Sequence, residues 1–367
     1  MKVVSVKTIL CALACAAGSF PAHSMEVFGI VDSSVGVSKN GAGNQGRVDS
    51  GAGYGSRLGF RDVEDLGGGL KANIWLENGF NTDTGTLGQG GALFGRQSYV
   101  GLSSKAWSVS AGRQYSPLNL LVASSDAFGQ TYWGNSQGTG IGQHSAKSGV
   151  NDGGFQAPAR VNNSLVVTGT TGGLTGRLML SAGDEKGDAG RSIGASLAYA
   201  SGPVFVNAAV HREKQFFADL PAGAAPDWQQ TWGLGGSYDF GIAKAFAGYY
   251  RFDPSTANMS LTSSTTLRTT SAWLGARVPV FQRDTIIGQV MDSRFKRIAG
   301  LAEGKSLTFG LAYEHAFSKR TTVYASYGRL NNNDTSNNLL WGGTAIVAPT
   351  AMGDDVSVFS AGMTHRF

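Results

Sequence analysis

The sequence predicts an all-β protein, a transmembrane antiparallel β-barrel of sixteen strands. Three observations carry that prediction. Segments of about ten residues recur in which apolar side chains take every second place, and period two marks a strand with one apolar and one polar or small face. The connections alternate between tight turns and long polar loops, as in an up-and-down barrel whose two ends differ. Charged residues make up only 15% of the chain, against roughly one quarter in a soluble domain, yet no window holds the ~18 unbroken apolar residues of a membrane helix.

Residues 1–24 read as an address. Lys2 and Lys7 precede an apolar stretch over residues 8–17, and Ala22 and Ser24 are small residues at the −3 and −1 positions of a cleavage site after Ser24. This is the pattern of a secretory signal peptide, with an apolar core too short to span a bilayer. A lipoprotein signal using Cys15 is the rival reading, but Ala12-Leu13-Ala14 is a poor approach to it. Both cysteines of the chain, Cys11 and Cys15, fall in this leader. An exported chain without thiols has to hold together without disulfides. The remainder, 25–367, is expected to be one barrel domain.

The segments expected as strands are 26–36, 46–63, 68–80, 92–103, 106–115, 160–169, 173–182, 191–201, 203–213, 229–240, 242–252, 268–280, 283–293, 305–317, 320–330 and 356–367. In 305–317, for example, Leu307, Phe309, Leu311 and Tyr313 alternate with Thr308, Gly310, Ala312 and Glu314. The tight turns fall at Glu64–Gly67, Ser103–Lys105, Thr170–Gly172, Gly202, Gly241, Phe281–Gln282 and Ser318–Lys319, and the long loops run from 37–45 to 331–355, the longest being 116–159. A barrel of ~16 to 18 strands is too wide to fill its interior with side chains and leaves an aqueous channel. Its polar face then lines water and its apolar face meets lipid, and closure satisfies backbone groups that hydrocarbon would leave unpaired. Trp75, Trp107, Trp228, Trp232, Trp273, Tyr199, Tyr238, Tyr249, Tyr250, Tyr313, Tyr324 and Tyr327 lie mostly near strand ends, where aromatic girdles sit at the headgroup level.

The run Met25-Glu26-Val27-Phe28-Gly29-Ile30-Val31-Asp32, then Ser56-Arg57-Leu58-Gly59-Phe60-Arg61-Asp62-Val63-Glu64-Asp65-Leu66-Gly67-Gly68-Gly69-Leu70-Lys71-Ala72, resembles the opening of the Gram-negative general porins of the β-proteobacterial type. Glu77-Asn78-Gly79-Phe80, Phe94-Gly95-Arg96-Gln97-Ser98-Tyr99-Val100-Gly101-Leu102 and Gly112-Arg113-Gln114-Tyr115 continue the likeness, and Met363-Thr364-His365-Arg366-Phe367 is similar to that family's closing strand. The resemblance implies a homotrimer in the outer membrane of a Gram-negative bacterium, among its lipid and lipopolysaccharide. Each subunit would be a passive pore for small hydrophilic solutes and ions, narrowed by a long third loop folded inward. Phe367 would be part of the signal read by the barrel-assembly machinery.

Parity and resemblance together pick out a basic wall. Arg57 and Arg61 share one parity while Leu58 and Phe60 take the other, which sends both arginines into the lumen about two pleats, ~7 Å, apart. The resemblance places Arg57, Arg96 and Arg160 on the basic side of a constriction. By pattern alone Arg96 is undecided, since Ser98 shares its side but so do Val100 and Leu102; Arg160 suits the lumen, having the parity of Asn162 and Ser164. Arg113 has the parity of Val109 and Ala111, so it faces outward or snorkels to the interface unless a bulge intervenes. The resemblance also gives loop 116–159 an acidic group opposite the arginines. Asp126 is the first choice, and Asp152, beside Gly153-Gly154, reads rather as a loop-tip residue. Arginines outnumbering carboxylates at the narrowest point would favour anions.

Other readings find less support. Gly41-Ala42-Gly43-Asn44-Gln45-Gly46 matches a dinucleotide fingerprint, but no helical period follows it. A barrel-borne hydrolase needs a histidine within reach of a nucleophile or water, and His144, His211, His315 and His365 lack diagnostic neighbours, as they lack metal-ligand spacing. No cofactor, metal or catalytic set is expected, and a net charge of +5 without a basic block gives no nucleic-acid surface. A substrate-specific channel remains the alternative, with Phe128, Tyr132 and Trp133 either a solute track or loop anchors.

Overall fold

A computed structural model of the chain describes residues 25–139, 158–183, 189–214, 225–255 and 266–367. The leader expected at 1–24, and with it Cys15, lies outside the described residues, as do Asp152 and His144.

The wall begins with β1 (Glu26–Asn40), β2 (Gly43–Ser50), β3 (Arg57–Gly67), β4 (Leu70–Gly79), β5 (Gln97–Ser103) and β6 (Trp107–Tyr115). After a helix, α1 (Pro117–Ser125), come β7 (Arg160–Thr171), β8 (Leu174–Ala182), β9 (Arg191–Ser201), β10 (Val204–Lys214), β11 (Trp228–Asp239) and β12 (Lys244–Asp253). The series ends with β13 (Thr266–Phe281), β14 (Asp284–Arg297), β15 (Gly304–Ala316), β16 (Thr321–Asn332), a short hairpin of β17 (Leu340–Gly342) and β18 (Ala345–Val347), and β19 (Val356–Arg366). Neighbours pair antiparallel throughout, and β1 pairs with β19, so the sheet closes. β2 and β3 both pair with β1, one with its second half and one with its first. They are two pieces of a single stave, which makes the seventeen-segment sheet a closed barrel of sixteen staves.

Burial along the staves is inverted relative to a soluble protein. In β15, Leu307, Phe309, Leu311 and Tyr313 are each more than 40% exposed, while Ser306 and Thr308 are buried. Such a surface, continued around the wall, is stable only against hydrocarbon, where the backbone ladder leaves no unpaired group. The tight turns expected at one end are present within a few residues of their expected places, at 68–69, 104–106, 172–173, 202–203, 240–243, 282–283 and 317–320.

Four expectations are corrected. The loop expected at 37–45 is mostly strand: β1 runs to Asn40 and β2 starts at Gly43. Polar Ser38, Lys39 and Gln45 broke the alternation because the hairpin rises beyond the apolar band, so the Gly-rich fingerprint there is a two-residue turn at 41–42 followed by the first residues of β2. The strand expected at 46–63 is interrupted at 51–56, where Gly51 takes φ +70° and Gly53 N–H donates to Asp32 Oδ1 (3.2 Å) and Tyr324 Oη (3.0 Å). The loop 116–159 opens with a helix that the sequence pattern did not reveal. Ser116 caps it by accepting from Asn119 N–H (3.1 Å) with Pro117 in the first turn, a strong start signal; its apolar residues encircle it because it is packed on most sides. Finally, Trp75, Tyr250, Trp273 and Tyr324 are not girdle residues: Tyr250, Trp273 and Tyr324 are buried, and Trp75 donates to inward-facing Glu77 (2.9 Å). Tyr199, Tyr238, Tyr313 and Trp107 are exposed on the outer face.

The buried core lies inside the barrel, between loop and wall. Leu118, Leu121 and Val122 of α1 pack on Ala209, Tyr250, Phe252, Trp273 and Met291 of the inner wall. Trp133 packs with Leu330, Leu340, Val347, Val356 and Val358. Asn207 Nδ2 donates to Ser124 Oγ (2.6 Å), Trp273 Nε1 to Ser125 O (2.8 Å), and Ala127 N–H to Gln289 Oε1 (3.0 Å). The segment 116–137 is thereby tied to the inner wall from β10 to β16.

Candidate channel constriction

Opposite that segment, β3 to β7 carry the arginines. β3 pairs Arg57 with Ile30 and Arg61 with Glu26, and directly opposed residues share a face. Even-numbered Asp32, Ser34 and Ser38 of β1 are buried on the inner side, so Arg57 and Arg61 both face the lumen. The next ladder pairs Gly59 with Glu77, which brings Glu77 inward as well.

Glu77 is the hub. Arg96 Nε donates to its Oε1 (2.5 Å), Gln97 Nε2 to its Oε2 (3.3 Å), and Arg57 Nη1 stands 3.5 Å away. Tyr115 is the second hub: its hydroxyl accepts from Arg96 Nη2 (2.9 Å) and from Arg160 Nη2 (2.9 Å), whose guanidinium lies 4.6 Å from the ring centre. Arg57, Arg96 and Arg160 therefore form one cluster. Arg96 precedes β5, so strand parity does not bind it; its N–H donates to Glu77 O (3.1 Å) and its side chain turns in. Arg160 arrives by another route. A bulge shifts the β6–β7 register between Gly112 and Gln114, Asn163 takes φ +49°, and Val161, not Asn162, packs inward.

Arg61 stands apart, forming a bidentate pair with Glu26 at 2.8 and 2.6 Å, half exposed on both sides. Arg113 faces outward: it pairs with Ser98 across the ladder and donates to Gly95 O (2.8 Å) and Asn162 Oδ1 (2.5 Å). Asp126 does not face the arginines. It is 2% exposed, and Phe128 N–H (3.0 Å), Gln130 N–H (2.8 Å), Ser136 N–H (3.2 Å) and Ser136 Oγ–H (2.7 Å) all donate to it. Burial pushes its carboxyl above the ordinary carboxylate range despite those bonds. Its geometry is that of the loop's own clasp. Phe128, Tyr132 and Trp133 are buried too, so they anchor the loop rather than line a solute track. Tyr132 donates to Glu314 Oε1 (2.6 Å), and burial raises its phenol well above the ordinary range.

The cluster holds three guanidinium groups against one carboxylate, Glu77. Beside it a cavity of about 620 Å³ runs between the wall and Leu120 of α1, touching Arg61, Trp75, Tyr99, Tyr115 and Arg177. Glu77 and Tyr115 were not singled out by sequence reasoning, although an acid inside an alternating strand, on the parity opposite Leu76, was the available signal for Glu77. Among the described residues no group of three or more His, Cys, Asp or Glu is placed to hold a metal ion.

A model of the Gram-negative porin family matches residues 8–335. The chain is 31% identical to outer membrane porin protein 32 of Delftia acidovorans, over 98% of each chain. Among solved structures it is similar to an anion-selective porin from Comamonas acidovorans, with TM-score 0.75 and 29% identity over 94% of this chain and 99% of that one. It also shares its fold with OmpT of Vibrio cholerae in a trimer form, with TM-score 0.67 and 15% identity over 94% of this chain and all of that one.

Proposed function

Since this chain belongs to the Gram-negative porin family, an outer-membrane channel and not an enzyme, we propose that its pore passes small hydrophilic solutes by diffusion and prefers anions to cations. The observation that carries the preference is the charge of the constriction: among the described residues, Glu77 is the one carboxylate paired within the cluster of Arg57, Arg96 and Arg160, while the acid of the described part of the loop, Asp126, is turned into its own backbone. Low-dielectric walls focus such a field. The likeness to an anion-selective relative supports the same reading. In a planar bilayer under a salt gradient, the reversal potential takes the sign of anion permeation and shrinks towards molar salt, where the Debye length falls to ~3 Å. A cation-selective potential overturns the proposal.

We propose further that the barrel works as a homotrimer, exported on a leader spanning 1–24. The outer face of β4 to β7 supports the trimer. Asn78, Ser98, Arg113 and Asn162 all have outward parity there. Arg113 lies six residues from Trp107, about 20 Å along the strand, which is inside the apolar band; on a lipid face it would cost ~2–4 kcal/mol. A neighbouring subunit removes that cost.

Phe367 completes the closing ladder, its N–H and C=O bonded to Gly29 at 3.1 and 3.0 Å. The Phe367→Ala variant keeps those backbone bonds but loses the exposed ring. It is expected to leave most of the protein outside the outer membrane, read as loss of the heat-modifiable folded band; unchanged yield removes Phe367 from the assembly signal.

A further inference from the structure

Between the constriction and the tight-turn end, the inner wall carries a site that the arginine cluster does not account for. It is the cavity of about 620 Å³ bounded by β3 to β8 and Leu120 of α1, and none of Arg57, Arg96 and Arg160 lines it. Small-molecule pockets span roughly 300–1,000 Å³, and this one falls among them.

One side is aromatic. Trp75 of β4 stands directly opposite Tyr99 of β5, and the two rings are nearly parallel, with centres 6.4 Å apart and planes at 7°. Phe28 of β1 backs Trp75 at 5.0 Å, seated over Gly59, where a Cβ would run into its ring. The Arg61 guanidinium lies over Phe28 and Trp75 at 5.3 and 5.6 Å and is fixed in turn by Glu26. The rings are held before any solute arrives, so binding does not have to order them.

The other side is cationic. Met179 of β8 is buried on the inner face, and Arg177 shares its parity. Arg177 stands opposite Thr168, itself opposite Ser108, itself opposite Ser103. These short side chains leave the space between the guanidinium and the rings open. Arg177 and Tyr99 feel each other's charge across it. Among the described residues, neither the Arg177 guanidinium nor the Tyr99 hydroxyl has a hydrogen-bond or acidic partner. Of the acids at the edge, Glu26 is taken up by Arg61, and Asp62 stands opposite outward-facing Ile74. One guanidinium in the cavity is thus left uncompensated.

We propose that this cavity is a solute subsite for small aromatic carboxylates. The carboxylate accepts hydrogen bonds from the Arg177 guanidinium and the Tyr99 hydroxyl, and the solute's ring lies against Trp75 and Tyr99. A guanidinium matches a carboxylate in shape and charge, and flat rings give a ring its best contact. An aliphatic acid leaves the rings unused, and an uncharged ring leaves Arg177 unpaired. Anion preference at the constriction, the reading on which this site rests, admits such solutes to it.

The test records the full protein in a planar bilayer in chloride salt, with benzoate, acetate or benzyl alcohol added to both chambers. Benzoate is expected to reduce the current saturably, with a half-blocking concentration roughly tenfold or more below that of acetate, and benzyl alcohol to leave the current unchanged. Arg177→Gln and Tyr99→Leu are each expected to raise the half-blocking concentration of benzoate roughly tenfold, the worth of one charge-assisted hydrogen bond or ring contact. Equal block by benzoate and acetate in the parent overturns the proposal. Block that survives both substitutions places benzoate at the constriction instead, and overturns it too. Should those variants fail to fold, Ser108→Leu, which fills the space between guanidinium and rings, must weaken the block in the same way, and an unchanged block overturns the site. The reversal potential under a salt gradient separates the site from the selectivity it rests on. An anion-selective pore that benzoate does not block overturns the site alone. A cation-selective potential overturns the selectivity, and block by benzoate then still upholds the site.

Discussion

Replacing Arg57 and Arg160 together by glutamine is expected to lower the anion-to-cation permeability ratio by about tenfold. An ion passing about 6 Å from one guanidinium in water gains or loses ~0.7 kcal/mol, and anion and cation move in opposite directions, so one charge alters the ratio by roughly tenfold before screening. With a Debye length of ≈ 8 Å near physiological salt, screening removes about half of each term, and two charges restore the tenfold figure. Arg96 is left in place deliberately. It holds the buried Glu77 carboxylate at 2.5 Å, and its removal would leave an uncompensated buried charge that costs ~3–5 kcal/mol. The charge-neutral control removes Glu26 and Arg61 together, an exposed pair at 2.6 Å of a kind that contributes little; its ratio should match the parent. The readout is the reversal potential in a salt gradient. A double variant with the parent's ratio would show that the cluster does not set selectivity.

The barrel was legible because its signal is one-dimensional. Period-two alternation in Leu307 to Tyr313 and the regular turns at one end follow from a wall with lipid on one side and water on the other, and each segment reports its own faces. The same logic placed Arg57 correctly on the inner side, where the β1–β3 register puts it. It had nothing to say where alternation stops. Arg96 sits before its strand, and Arg160 sits beyond a bulge at Asn163, so side-chain direction there is set by tertiary contacts with Glu77 and Tyr115. Asp126 shows the opposite failure. The loop's one carboxylate in 116–139 has the right type for an eyelet acid, but Phe128 N–H, Gln130 N–H and Ser136 compete for it locally, and a short acidic side chain beside free amides is captured by them. The helix at Pro117 was hidden because packing on several sides removes the one-faced stripe on which periodicity depends.

The path of that loop rests on Trp133, and the Trp133→Ala variant should release it. Trp133 is fully buried; its Nε1–H donates to Ser360 Oγ (2.8 Å), its backbone N–H to Ser326 Oγ (3.0 Å), and it bridges to Gly342. The inner wall is shaped to receive it. Gly310 and Gly328 lie beneath, and a Cβ on Gly310 would run into Trp133 O and the Phe128 ring. Truncating a buried Trp costs ~3–5 kcal/mol, and here the loss falls on loop anchoring, because the strand ladders that close the barrel do not involve this side chain. At a tenfold change per 1.4 kcal/mol, about 3 kcal/mol raises the population of the detached loop more than a hundredfold. Single-channel conductance should rise and become noisier, and added protease should cut within 116–159 far faster, while the heat-modifiable barrel survives. The Gly310→Val variant should do the same from the wall side, since the added side chain occupies the space the loop backbone needs. Parent-like conductance together with parent-like protease resistance in both variants would mean that the loop is held elsewhere, and that the clasp around Asp126 and the α1 contacts to β10 through β13 suffice to keep the channel narrow.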